Sequence, residues 1–505
     1  MKNKKIKYIY NPIKYIFEQY KLNPQKDCII FDDIKINYEE FLKNILEFSK
    51  KLKNIKKEEK IIVSVKNPLK HIIAIYSCFY RSLVPIPYPA DNVNEVTSLA
   101  KEINAKLIIL DKKIKFNKKI SIYFKNLSTK NIRLNNINVN KFQDLSESLA
   151  MIYFTSGTTS GINKGVLQTF RNLDFVKNNI LKKTKITSKI CELICTPIFN
   201  AYWFGRLNTI FSVGGTIVLF ENSFNPIIFF KYMNKFKINA ISGDTAIYLI
   251  LLKYFKLNLI KISRSLFWIK IASQGMPLEK KKELMKVFPK TRIIMGYGLT
   301  EAMRTTLLSF FDEKKFLASD GKPIKEITLK IVDNNDKNLG PNKVGRVLIK
   351  GDHVAKGYLG KKKLWESKIF NGYYRSGDLG YLNSNGYLFL KGREDDAINI
   401  GGRTVSLTES NNKLAKFIKK TNFITLGIDD PRKVADKMLV LCIEDKWKEK
   451  ILWSKLRLIL FEYMHKSLVP SDVFILKKFP LTQNGKIIKS KILNKIQGHK
   501  LTRLI

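Results

Sequence analysis

Acidic residues are scarce in this chain: 43 Asp and Glu stand against 91 Lys and Arg, a formal net charge of +48 over 505 residues. Histidine is scarcer still. The four that occur, His71, His353, His465 and His499, are solitary, which favours structural or surface roles over catalysis. Five scattered cysteines form no disulfide framework. Cys191 and Cys195 lie in Ile190-Cys-Glu-Leu-Ile-Cys-Thr-Pro197, which reads as a buried strand, and no second Cys/His pair at ligand spacing accompanies them. Zinc is therefore not expected. No uninterrupted apolar run approaches the roughly 18 residues of a membrane span; the run from His71 to Tyr80 stops at Arg81. Lys2 to Lys21 has charged or polar residues scattered throughout and lacks the apolar core of a signal peptide, so the expectation is a cytoplasmic protein.

A charge of this size would ordinarily point to nucleic acid or an anionic membrane. Here the lysines run along the whole chain among abundant Ile and Asn, and the run Lys50 to Lys60 is broken by Glu58 and Glu59. Lys, Ile and Asn share A/T-rich codons, so compositional bias is the simpler explanation, and no nucleic-acid partner is expected. The surplus would still favour polyanionic ligands.

The chain is too long for one ordinary core. Up to about residue 320 short apolar strands alternate with helical patterns: Asp27–Phe31 and Ile34–Tyr38 as a hairpin, Tyr38–Leu52 as a helix, Lys60–Val65 as a strand, Leu69–Arg81 as a helix. Later strands are read at Gly215–Phe220, Ile238–Ser242, Phe267–Ser273 and Arg292–Met295. Such alternation predicts α/β layering with parallel strands. From about Gly321 the texture becomes β, with a turn at Asn383-Ser-Asn-Gly386, and the last 110 or so residues look like a small separate α+β unit.

The most specialised stretch is Tyr153-Phe-Thr-Ser-Gly-Thr-Thr-Ser-Gly-Ile-Asn-Lys164-Gly165-Val166. A buried strand ends abruptly in a loop whose successive N–H groups can form an anion nest, with hydroxyls from Thr155, Ser156, Thr158 and Thr159, the backbone of Gly157, and the charge of Lys164. It is not a Walker loop: Asn163 precedes the lysine and Gly165 follows it. A plain surface loop is the bland alternative.

Four further stretches carry chemistry. In Gly296-Tyr297-Gly298-Leu299-Thr300-Glu301 the tyrosine offers a face to a base, Thr300 can donate to a phosphate, and Glu301 is an oxygen ligand suited to Mg²⁺. In Tyr374-Arg-Ser-Gly-Asp378-Leu-Gly a lone carboxylate can accept from ribose hydroxyls. Gly392-Arg393-Glu394-Asp395-Asp396 sits where the composition changes and can serve as a hinge. Pro480-Leu-Thr-Gln-Asn-Gly-Lys486 presents a lysine just past a turn. Taken singly, each also reads as an ordinary turn or surface feature.

These five motifs, in this order, resemble the adenylate-forming (AMP-binding) superfamily of acyl- and aryl-CoA ligases, firefly luciferase and peptide-synthetase adenylation domains. The likeness spans nearly the whole chain. It implies a large multi-sheet α/β N-terminal adenylation domain over 1–393 and a small mobile α+β lid over 394–505. It implies that Thr155 to Lys164 hold the β- and γ-phosphates of ATP, that Gly275 and Tyr297 line the adenine pocket, and that Thr300 touches the α-phosphate. By the same resemblance Glu301 binds Mg²⁺, Asp378 and Arg393 hold the ribose, Asp395 is the hinge, and Lys486 reaches over the site during adenylation. The implied reaction activates a fatty or aromatic carboxylic acid as an acyl-adenylate and transfers it to a thiol. The thiol is that of coenzyme A or, alternatively, the phosphopantetheine of an acidic acyl carrier protein. A retired nucleotide-binding protein is disfavoured, because Glu301, Asp378, Arg393 and Lys486 are all present.

Three departures stand out. The phosphate loop has one extra residue and Asn163 where the family has proline. Asn200 stands where CoA ligases often carry His and amino-acid-activating domains place an Asp nearby, so amino-acid substrates are disfavoured. Val434-Ala-Asp-Lys437 replaces a Gly-Glu pair, and no insertion like that of fatty-acyl-AMP ligases separates Gly357 from Gly372. The acid pocket is expected to be drawn from Phe199–Trp203, Gly243–Tyr248 and Gly298–Arg304, with Asn200, Trp203 and Met303 in it, and Phe199, Tyr202, Trp203 and Met303 make it look apolar.

Overall fold

The computed structural model describes residues 10–89, 93–111, 121–124, 134, 145–155, 164–220, 224–272, 275–394, 397–400, 403–418, 421–430, 437–444, 453–464, 468–481 and 487–497. The central sheet has nine strands: β1 (Asp27–Phe31), β2 (Ile34–Asn37), β9 (Cys191–Ile194), β10 (Thr216–Leu219), β11 (Ala240–Asp244), β12 (Trp268–Ala272), β13 (Arg292–Met295), β14 (Thr306–Ser309) and β15 (Lys322–Pro323). Their order is β15-β14-β13-β12-β11-β9-β10-β1-β2. The six from β13 to β1 are parallel, and β2, β14 and β15 add antiparallel edges.

A parallel strand covered on both faces must be apolar on both, and the register shows it. Ile29, Ile194, Ile217, Trp268 and Ile294 face one core, built with helices Tyr38–Lys50, Pro68–Tyr80, Phe170–Thr184 and Ala201–Ser212. Ile30, Leu193, Val218, Ile241, Ile269 and Ile293 face the other, with helices Pro226–Lys235, Thr245–Tyr254 and Leu278–Val287. Local chemistry starts these helices. Asn37 and Glu40 form a capping box, Thr169 and Asn172 another, and Asn67 and Asn225 cap helices whose first residue is Pro.

Beside this layer, β3 (Lys60–Ser64), β4 (Val84–Pro87), β5 (Leu107–Leu110) and β6 (Ser121–Tyr123) form a parallel sheet in the order β4-β3-β5-β6. A third sheet pairs β7 (Leu149–Thr155), β8 (Lys164–Thr169) and β18 (Gly357–Tyr358). The β texture read after Gly321 becomes an antiparallel sheet of β16 (Thr328–Val332), β17 (Gly345–Lys350), β19 (Ile369–Phe370), β20 (Tyr373–Leu382) and β21 (Leu388–Arg393).

Beyond β21 come the hairpin β22 (Ala397–Ile400) and β23 (Arg403–Ser406), and a sheet of β24 (Phe423–Asp429), β25 (Lys437–Glu444) and β26 (Asp472–Leu476), with helices Leu407–Leu414, Trp453–Tyr463 and Lys489–Gln497. Among the described residues, the two apolar clusters of this segment draw every member from Ile398 onward, and the others end at or before Leu390. The hydrophobic core is thus divided near Arg393.

Candidate active site

The two ends of the glycine-rich loop are held side by side: Thr155 closes β7, Lys164 opens β8, and the two are cross-strand partners. The loop therefore closes a hairpin, a strand the sequence reading had missed. Ser156, Gly157, Thr158 and Thr159, with the extra residue and Asn163, lie outside the described residues. The Lys164 ammonium stands 5.6 Å from the ring centre of Tyr358, a residue on the strand paired with β8.

The segment after β13 is anchored to this hairpin. Gln168 Nε2 donates to the Thr300 carbonyl at 2.7 Å, and the Ala355 N–H donates to the Glu301 carbonyl at 2.8 Å. The Tyr358 hydroxyl donates to Glu301 Oε1 at 2.8 Å and lies 3.1 Å from the Tyr374 hydroxyl. Burial, then the Glu301 carboxylate, pushes the Tyr358 phenol up, so it remains a donor. A fixed carboxylate beside the phosphate hairpin suits Mg²⁺, which takes one or two carboxylates and completes its shell with phosphates and water.

A second group forms where β20 meets β21. Asp378 and Arg393 are cross-strand partners, and Arg393 Nη1 reaches Asp378 Oδ1 at 3.2 Å and the Ser376 carbonyl at 3.3 Å. The Tyr297 hydroxyl donates to Asp378 Oδ2 at 2.5 Å. Burial, then the Asp378 carboxylate, pushes this phenol well above its ordinary value. Gly377 has φ +73°, and a Cβ there would lie 3.0 Å from Arg393 Nη2, so a glycine keeps that approach open. Asp378 therefore sits inside a strand, where the bland reading had it on a turn. Gly275 is exposed beyond β12, and among the described residues a Cβ added to it would meet only Asp320 Oδ1 within 4 Å, at 3.9 Å.

The residues assigned to the acid pocket are structural as well. Asn200 Oδ1 accepts from the Trp203 N–H at 2.7 Å, capping helix Ala201–Ser212. Trp203 and Met303 are buried in the main core, with His71 packed edge-on to Phe199 and Trp203. Asp395 and Lys486 lie outside the described residues.

The sequence reading missed Gln168, Tyr358 and a buried polar island behind Tyr297. Glu192 on β9, Ser242 on β11 and Lys270 on β12 interrupt one apolar sheet face, and Arg206 and Arg304 close over them. Arg206 holds Glu192 with two bonds, Nε to Oε1 at 2.8 Å and Nη2 to Oε2 at 2.6 Å, and Ser242 Oγ donates to the same carboxylate. The available signal was a charge in the middle of each of two otherwise apolar strands, Cys-Glu-Leu-Ile and Trp-Ile-Lys-Ile-Ala.

The groups around Lys164, Glu301 and Asp378 lie on the β7–β8 hairpin, on the segment after β13 and on the β20–β21 pair, beside the doubly covered parallel sheet and ahead of a small α+β unit. The sequence profile of the AMP-binding enzymes matches residues 16–359, and the chain belongs to that family. The oxalate–CoA ligase of Saccharomyces cerevisiae is 29% identical over 368 residues, 71% of this chain and 66% of that protein. The 2-succinylbenzoate–CoA ligase of Bacillus subtilis is 23% identical over 498 residues, 96% of this chain and 99% of that protein. In fold, the chain resembles the o-succinylbenzoate CoA synthetase of Bacillus subtilis in complex with its acyl-adenylate intermediate, with a TM-score of 0.81 at 21% identity, covering 96% of this chain and 98% of that one. ATP-bound MatB from Rhodopseudomonas palustris gives a TM-score of 0.83 at 18% identity, covering 97% and 99%. No described helix is long and apolar enough to cross a membrane.

Proposed function

We propose that this AMP-forming acid–thiol ligase uses ATP to convert a carboxylic acid to its acyl-adenylate and then transfers the acyl group to coenzyme A. The observation that carries this reading is the convergence of Lys164, Thr300 and Glu301 with the Tyr297–Asp378–Arg393 group, tied together through Gln168 and Tyr358. Lys164 and the loop hold the β- and γ-phosphates. Tyr297 and Gly275 flank the adenine, and Asp378, oriented by Tyr297 and Arg393, accepts from the ribose hydroxyls. Glu301 would hold Mg²⁺, which when bound would supply positive charge against the phosphates.

An oxygen of the acid attacks the α-phosphorus, a P–O bond forms there, and the bond to the bridging oxygen breaks to release pyrophosphate. Two anions meet in that step, so the enzyme's contribution is positioning and charge neutralisation. Thr300, whose carbonyl is pinned by Gln168, and Lys486 serve the α-phosphate and the attacking carboxylate. The thiol then attacks the acyl carbon and AMP departs. Residues 394–505 act as a lid hinged at Asp395, supported by the division of the hydrophobic core near Arg393. Rotation removes Lys486 and presents a different face of the lid to the thiol.

The names of the relatives, which include oxalate, 2-succinylbenzoate and feruloyl groups, span acids too different to fix the substrate. The net charge of +48 supports a second acceptor, the phosphopantetheine thiol of an acidic carrier protein. Acid-dependent pyrophosphate release from ATP across a panel of acids, with and without coenzyme A, tests the scheme. Thioester formation with coenzyme A is the expected outcome. Pyrophosphate release without a CoA thioester would favour the carrier protein, and no turnover with any acid would sink the ligase reading.

A further inference from the structure

The buried island behind Tyr297 has more donors than acceptors. Three cationic side chains, Arg206, Lys270 and Arg304, face one carboxylate, Glu192. That carboxylate is already held by Arg206 and Ser242. Among the described residues, Lys270 Nζ, Arg206 Nη1 and Arg304 Nε are buried without a hydrogen-bond acceptor. A buried polar group without a partner costs free energy that folds rarely leave unrecovered, and a buried cation costs more. Burial, then Arg304 and Arg206, pushes the Lys270 ammonium well below its ordinary value, with Glu192 alone opposing. Burial, then Arg206, brings the Arg304 guanidinium down to about 10, against the opposing pull of Tyr202, Tyr153 and Glu192.

The island lies against the segment that carries the nucleotide contacts. A Cβ on Gly296, the residue before Tyr297, would lie 2.9 Å from Lys270 Nζ. Arg304 has φ +57° and donates from Nη2 to the Tyr202 carbonyl at 3.1 Å. Its guanidinium occupies space that only a glycine at 205 leaves open, since a Cβ there would lie 2.2 Å from Nη1. Tyr202, Ser242 and Arg304 belong to or adjoin the three stretches expected to line the acid pocket, at Phe199–Trp203, Gly243–Tyr248 and Gly298–Arg304. The cations thus lie buried beneath the stretches expected to line the acid pocket.

We propose that the acid this enzyme activates carries a second carboxylate, which is received by Lys270, Arg304 and Arg206 while the first reacts at the α-phosphate. The proposal rests on the acid-activating reading above and narrows it to dicarboxylic acids, aliphatic or aromatic. Arg206 is the anchored member, because Glu192 fixes it in two bonds. Lys270 and Arg304 are the specificity-determining residues, because their unpaired donors are what a monocarboxylate leaves unsatisfied.

The test compares matched acids that differ only in the distal group: butyrate with succinate, hexanoate with adipate, benzoate with terephthalate. Pyrophosphate release and CoA thioester formation are followed on the full chain with ATP and Mg²⁺. The diacid of the preferred pair should exceed its monoacid in kcat/KM by on the order of 100-fold or more, the penalty for leaving built-in polar partners unpaired. Lys270→Met and Arg304→Gln should each lower the diacid value by about 10-fold or more and so narrow the diacid-to-monoacid ratio, with thermal melts establishing that the variants are folded. Should they fail to fold, the comparison within the unaltered enzyme still decides. Monoacids turned over as well as diacids would overturn the proposal and leave acid activation standing. Variants that lose stability without changing the diacid-to-monoacid ratio would also overturn it, by making the island a brace for the sheet. Absence of pyrophosphate release with every acid would instead remove the acid-activating reading on which the proposal rests.

Discussion

The hydroxyl of Tyr358 donates to Glu301 Oε1 at 2.8 Å, joining a carboxylate at the end of one loop to a two-residue strand that pairs with β8. A metal-binding carboxylate is only as well placed as its own hydrogen-bond partner. Tyr358→Phe should therefore raise the Mg²⁺ concentration needed for half-maximal pyrophosphate release by about 10-fold. It should also cost about 1 kcal/mol of stability, because the Tyr374 hydroxyl loses a partner. A Mg²⁺ titration of the variant against the parent checks this, and superimposable curves would remove Tyr358 from the metal site.

Asp378 is held by Tyr297 on one oxygen and Arg393 on the other, so its carboxylate is oriented before any nucleotide arrives. If it reads the ribose, the parent enzyme should prefer ATP over 2′-deoxy-ATP, and Asp378→Ala should abolish that preference and raise KM for ATP by about 10-fold or more. Asp378→Asn keeps an acceptor and should fall between them. A preference for ATP that survives in the alanine variant would place the ribose elsewhere.

Much of this was legible because it is local. The β1–β2 hairpin, helix Tyr38–Lys50 and strands β3, β10, β12 and β13 follow from apolar periodicity and caps within one segment. The nucleotide motifs were legible for the same reason, each being a short run. What escaped depends on pairing between distant segments. Strand β8 was read as the tail of a loop, and only its pairing with β7 and β18 shows it to be a strand. Tyr358 is one of 21 tyrosines, and nothing near Gly357 marks it as a neighbour of Glu301. Glu192 and Lys270 were visible as charges inside apolar strands, yet their meaning depends on Arg206 and Arg304 closing over them from a helix and a loop. Asn200 shows the converse. A position singled out by comparison with substrate-binding residues proves to cap a helix, a role that its place before Ala201 would have allowed.

Lys486 tests the lid. The proposed mechanism uses it only while the carboxylate attacks the α-phosphate. Lys486→Ala should lower acid-dependent pyrophosphate release by on the order of 100-fold or more, the scale of losing one charge aimed at the reacting group. Thioester formation from a supplied acyl-adenylate and coenzyme A should stay within a few-fold of the parent. Equal losses in both half-reactions would refute lid exchange and point to a single fixed arrangement.

Two histidines give the fold an acid-side weakness. His71 donates from Nδ1 to the Val65 carbonyl at 3.1 Å beneath Phe199 and Trp203, and His353 lies with Nε2 3.1 Å from the Thr305 hydroxyl. Burial lowers both to about 3 from an ordinary 6.5, so in the folded protein both stay neutral at neutral pH. Between those values the unfolded chain binds protons that the folded chain does not, so stability is full above about pH 6.5 and falls as the pH drops toward 3. Each group contributes a slope of up to about 1.4 kcal/mol per pH unit. Urea unfolding at pH 7, 6 and 5 stays above the range where most carboxylates titrate, and it should show the combined loss. His353→Gln, which keeps a polar partner for Thr305, should remove about half of the slope contributed by this pair. An unchanged slope in that variant would mean that His353 becomes protonated without opening the fold.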